Sequence, residues 1–65
     1  MNTYLIEFYK NKKKKILVTV ILQTEETNIE KILDVFEMLW SRSRNQIEKI
    51  MRVDTVTEVY SNERM

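Results

Sequence analysis

The sequence predicts an α+β fold, a small two-layer ββαβ domain that takes residues 1–65 as a single unit. Three observations carry that expectation. Two β-prone runs flank a lysine-rich connector near the N-terminus, an amphipathic helical stripe follows them, and a shorter alternating run comes near the C-terminus.

Thr3-Tyr4-Leu5-Ile6-Glu7-Phe8-Tyr9 is dense in β-branched and aromatic residues, the types that fit a pleated, half-buried surface. It reads as the first strand, with Tyr4, Ile6 and Phe8 on one face. Ile16 to Gln23 reads as the second, and its even positions Ile16, Val18, Val20 and Leu22 form another wholly apolar face. Lys10-Asn11-Lys12-Lys13-Lys14-Lys15 joins the two as an N-terminal β-hairpin. In a chain with no glycine, Asn11 is the best residue there for a positive-φ turn position.

Thr24-Glu25-Glu26 is a polar connector that brings acid to the positive end of the helix that follows. Thr27-Asn28-Ile29-Glu30 spells a capping box, in which a Thr27 hydroxyl and a Glu30 carboxylate satisfy each other's backbone N–H groups. At 100° per residue, Ile29, Ile32, Leu33, Phe36, Trp40, Ile47, Ile50 and Met51 fall within about 60° of one line. The spacing predicts one long amphipathic helix over about 28–52, ~36 Å in length, with any bend at Ser41 or Ser43. Val53 to Tyr60 reads as a C-terminal strand (about 53–60) at an edge of the hairpin, beside the first strand in an all-antiparallel sheet in preference to beside the second as a parallel neighbour, and Ser61 to Met65 as a frayed tail.

A chain of 65 residues buries only about 60% of its unfolded surface, so its core is marginal without help. Lacking cysteine and histidine, it can build neither a disulfide framework nor the usual zinc and iron–sulfur sites. Oligomerisation is the staple that remains, and a homodimer is expected. The formal net charge of +1 supplies no global field toward nucleic acid or an anionic membrane. Ile16 to Leu22 is far short of the ~20 apolar residues that span a bilayer, and the start lacks the marks of a signal peptide. A cytoplasmic protein with no membrane association is expected. Glycine, proline and alanine are absent while lysine, isoleucine, asparagine and glutamate abound, a composition typical of AT-rich genomes and of short phage or mobile-element reading frames.

No catalytic, metal or cofactor motif is present in the sequence, and enzymatic chemistry is the poorest candidate, because the commonest general base and the thiol nucleophile are missing. Two apolar surfaces are left over. Leu5, Tyr9, Leu17 and Ile21 fall on the sheet face away from the helix, among Thr3, Glu7, Thr19 and Gln23, and such a patch usually marks an interface. Val35, Met38 and Leu39 lie off the core stripe of the helix, where charge is the norm. The expectation is a non-enzymatic protein-interaction module, homodimeric, of the kind a phage or mobile element uses to bind and modulate or inhibit a host protein. The alternative is nucleic-acid contact through the hairpin tip Lys12, Lys13, Lys14 and Lys15 with Arg42 and Arg44. Against it, lysines beside a strongly β-prone strand also serve as gatekeepers against aggregation.

Overall fold

The computed structural model describes residues 1–62. Its elements in chain order are β1 (Asn2–Asn11), β2 (Ile16–Thr24), α1 (Ile29–Trp40), a 3-10 turn (Arg44–Gln46), β3 (Ile47–Arg52) and β4 (Thr57–Ser61). The four strands form one antiparallel sheet in the order β2-β1-β3-β4, with α1 against one face. The domain is therefore α+β and two-layered, as the pattern predicts, and its element order is ββαββ.

The N-terminal hairpin follows from the alternation. Tyr4, Ile6 and Phe8 of β1 are buried with Leu22 of β2, while Val18 and Val20 pack at the margin and Ile16 is exposed. In the turn Lys15, not Asn11, takes the positive φ of 54°. Asn11 acts through its side chain, whose Oδ1 accepts from the Lys14 N–H at 3.1 Å.

The long helix over 28–52 does not form, because α1 ends at Trp40. Its N-cap is Asn28, one residue later than expected; the Asn28 Oδ1 accepts from the Glu30 N–H at 2.9 Å, and the Glu26 carboxylate accepts from Thr27 and Asn28. At the other end Ser41 turns left-handed (φ 53°) and stops the helix. The capping box of this chain lies further on, at Ser43: its hydroxyl accepts from the Asn45 N–H at 3.1 Å, and Gln46 Oε1 accepts from the Ser43 N–H at 3.3 Å.

Residues 47–52 are strand β3, and the C-terminal strand expected over 53–60 is a turn at residues 53–56 followed by β4. A bulge explains the misleading stripe. Glu7 pairs with Lys49 and Phe8 with Ile47, leaving Glu48 as an extra residue. In a regular strand Ile47 and Ile50, three apart, point to opposite faces. With Glu48 bulged, both are buried under α1, and their spacing of three imitates a helix. The tail begins later than expected, since Ser61 pairs with Lys49 in β4, and residues 63–65 lie outside the described residues.

Phe36 is the centre of the core, fully buried, with its ring edge-on to Phe8 at 5.2 Å and tilted against Trp40 at 5.6 Å. Ile32 and Leu33 complete the helix side, and the Tyr4 hydroxyl, beneath them, donates to the Glu26 carbonyl at 2.9 Å. Removing the Phe36 ring leaves a cavity bordered by both layers. Phe36→Ala is expected to cost roughly 3–5 kcal/mol, read as a lowered denaturation midpoint, a large share of a small domain's stability. An unchanged midpoint would count against this packing.

Candidate functional site

Among the described residues, no second layer covers the sheet face turned away from α1. Strand register places its side chains in rows. Ile21, Leu5 and Met51 lie side by side on β2, β1 and β3, and Leu17 lies beside Tyr9 two rows further toward the hairpin tip. Between these apolar rows run Thr19, Glu7 and Lys49, a polar row in which opposite charges face each other across strands. Glu58, paired with Met51, and Ser61, paired with Lys49, finish the face on β4. Ile21 is 63% exposed and Leu17 44%, whereas Leu5, Tyr9 and Met51 are half-buried among their neighbours.

The structure therefore brings together Leu5, Tyr9, Leu17 and Ile21 and adds Met51, which the helical stripe had assigned to the other layer. Val35, Met38 and Leu39 stand apart from them. Val35 packs against the core, while Met38 and Leu39 are exposed on the helix layer, on the far side of the molecule from Leu5.

The basic residues divide as well. Lys12 to Lys15 are all exposed in the hairpin turn. Arg42 joins them from the segment just after α1, with its Nη1 donating to the Lys10 carbonyl at 3.3 Å and its guanidinium carbon 5.4 Å from the centre of the Phe8 ring. Arg44 points elsewhere. It is strapped along an acidic face of α1, where Glu30, Asp34 and Glu37 recur at helical spacing: Nη1 donates to Glu30 at 3.0 Å, and Nη2 to Glu37 at 3.1 Å and to Asp34. The Arg44 backbone N–H also donates to Glu37 Oε2 at 2.9 Å. On β3, Arg52 Nε donates to Asp54 at 2.9 Å and Nη2 to Asn2 Oδ1 at 2.7 Å.

These pairings shift ionisation. Side-chain and backbone hydrogen bonds from Arg44 hold the Glu37 carboxyl below its ordinary value, and bonds from Glu37 and Asp34 raise Arg44. The bond from Arg52 lowers Asp54 and raises Arg52 in turn. Glu30 and Asp34 are 74% and 67% exposed and well screened, so the strap depends mainly on Glu37, at 36%. Among the described residues there is no pocket, no cluster of His, Cys, Asp and Glu placed to hold a metal ion, and no helix long and apolar enough to cross a membrane. Comparisons with protein-family models, with curated proteins and with solved structures found no match to this chain.

A carboxylate whose folded pKa is depressed contributes stability above its unfolded value and loses it as pH falls through the folded one. For Glu37 that window lies below 4.5. Arg44→Gln is therefore expected to lower the urea midpoint near neutral pH, with the gap between parent and variant closing as pH falls below 4.5. A gap that stays constant with pH would show that Arg44 acts through packing alone.

Proposed function

We propose that this chain is a small non-enzymatic protein-interaction module that works through the open face of its sheet, and that it serves a phage or mobile element by binding and modulating or inhibiting a host protein in the cytoplasm. The observation that carries the proposal is the pair of apolar rows Ile21–Leu5–Met51 and Leu17–Tyr9, left uncovered on a domain whose other face is already satisfied by α1. Aromatic and methionine side chains are enriched in interface cores. Glu7 and Lys49 between the rows supply fixed charges that would orient a partner and reject those with the wrong polarity. The glycine-poor, lysine- and isoleucine-rich composition supports the source, and the lack of histidine and cysteine supports a role without catalysis. Leu5 is central to the larger row and away from both sheet edges.

Capture of partners from a low-GC bacterial lysate by the parent, by Leu5→Glu and by Met38→Glu discriminates the two surfaces. A protein retained by the parent and by Met38→Glu is expected to be lost from Leu5→Glu, with affinity for the purified partner falling roughly thirtyfold or more, as for a central interface residue. Equal capture by all three folded proteins would remove the sheet face as the binding surface.

A second function is favoured by one contact, the reach of Arg42 to the Lys10 carbonyl, which sets a further cation at the base of the lysine turn. In this alternative Lys12 to Lys15 and Arg42 grip nucleic-acid phosphates, without Arg44, whose charge three carboxylates already answer. Binding would then weaken with salt at about −0.9 in log–log slope for each phosphate neutralised on a duplex, and glutamine at positions 12–15 would abolish it. Salt-insensitive or absent retention of oligonucleotides eliminates this function and leaves the lysines as solubility guards.

A further inference from the structure

The two edges of the sheet are unequal. β4 is five residues long, carries Glu58, and is interrupted by a bulge at Val59. β2 is nine residues long and has neither charge nor proline, and its ladder to β1 is regular from Leu17 to Thr24. Half of its backbone N–H and C=O groups point away from β1 with no strand among the described residues to receive them, and natural edge strands of this length and apolarity are normally blunted. Its sequence is also symmetric in character about Thr19, with Val18 and Val20 on one face and Leu17 and Ile21 on the other.

We propose that β2 pairs antiparallel with β2 of a second copy about a two-fold axis at Thr19, so that two four-stranded sheets become one of eight strands. The pairing deepens the interaction-module function and rests on it in taking the open face as the working surface. Opposite Thr19 stands Thr19 of the second copy; Val18 meets its Val20, and Leu17 its Ile21. The apolar rows that Thr19, Glu7 and Lys49 separate within one protomer are then joined across the axis, running Tyr9, Leu17, then Ile21, Leu5 and Met51 of the second copy.

Charge selects the occupant and the direction. Lysines 12–15 lie at one end of β2 and Glu25 and Glu26 just beyond the other. In the antiparallel arrangement each copy's lysines come beside the other's acids; a parallel pairing would stack lysine on lysine. Both helices fall on the same side of the enlarged sheet, which leaves its open face continuous.

Sedimentation of the full chain over a concentration series tests the proposal, together with variants at exposed positions. The parent is expected to be dimeric, and Thr19→Lys, which sets two like charges face to face, to weaken association roughly tenfold or more. Glu25→Lys is expected to weaken it too, and adding Lys13→Glu, the position that faces residue 25 of the second copy in this register, to restore it. The chain has no cysteine of its own, so Thr19→Cys reports the register directly: facing Cα atoms about 4.5–5.5 Å apart allow a disulfide on mild oxidation. Glu7→Cys, in the middle of the open face, is the control that must not cross-link. A monomer at every concentration, or cross-linking through Glu7→Cys in place of Thr19→Cys, overturns the proposal. If Leu5→Glu still abolishes partner capture in such a monomer, the binding face stands and the edge pairing alone has failed.

Discussion

Everything in this domain hangs on β1, because it joins the β1–β2 hairpin to the β3–β4 hairpin and carries the row that packs under the helix. Its even residues Tyr4, Ile6 and Phe8 meet Ile32, Leu33 and Phe36 of α1, while its two edges accept β2 and β3. Burial of such side chains is worth roughly 1.5–3 kcal/mol each, against a backbone ordering cost of about 1–2 kcal/mol per residue. A chain this short has little margin between those sums. Concentrating nine buried apolar residues around one central strand is how it reaches a cooperative core at all.

The same geometry decides what was readable in the sequence. Strand alternation from Thr3 to Tyr9 and from Ile16 to Gln23 is uninterrupted, and those two strands stand where the pattern puts them. The first part of the helix is equally plain, since Ile32, Leu33 and Phe36 have only one apolar stripe to occupy. The second half failed for a definite reason. A bulge replaces the period of two by a spacing of three, so Ile47 and Ile50 satisfy a helical wheel while lying in a strand. The correct stop was nevertheless spelled in the chain, because Ser43 and Gln46 form a capping box three residues after Trp40, and no capping signal is needed inside a continuous helix.

The candidate surface was legible to the extent that alternation was regular. Leu5, Tyr9, Leu17 and Ile21 follow from β1 and β2 alone, but Met51 depends on knowing that residue 48 is skipped. The division of the basic residues was not readable from spacing. Arg42 and Arg44 are two apart, yet the left-handed turn at Ser41 sends one to the hairpin and the other back along α1. No linear pattern encodes that divergence.

Three chain reversals use left-handed residues, at Lys15, Ser41 and Val56, in a protein that contains no glycine. Val56 is the extreme case, since a β-branched side chain crowds its own backbone at a φ of 51°. Such a conformation costs about 1–3 kcal/mol and persists only where the surroundings impose it. Here the Val56 N–H donates to the Val53 carbonyl and the Val53 N–H to the Thr3 carbonyl, so the turn is held by the sheet rather than by its own preference. At such positions glycine would adopt the same backbone without that cost. A composition without glycine is in this way expressed as conformational energy at the turns.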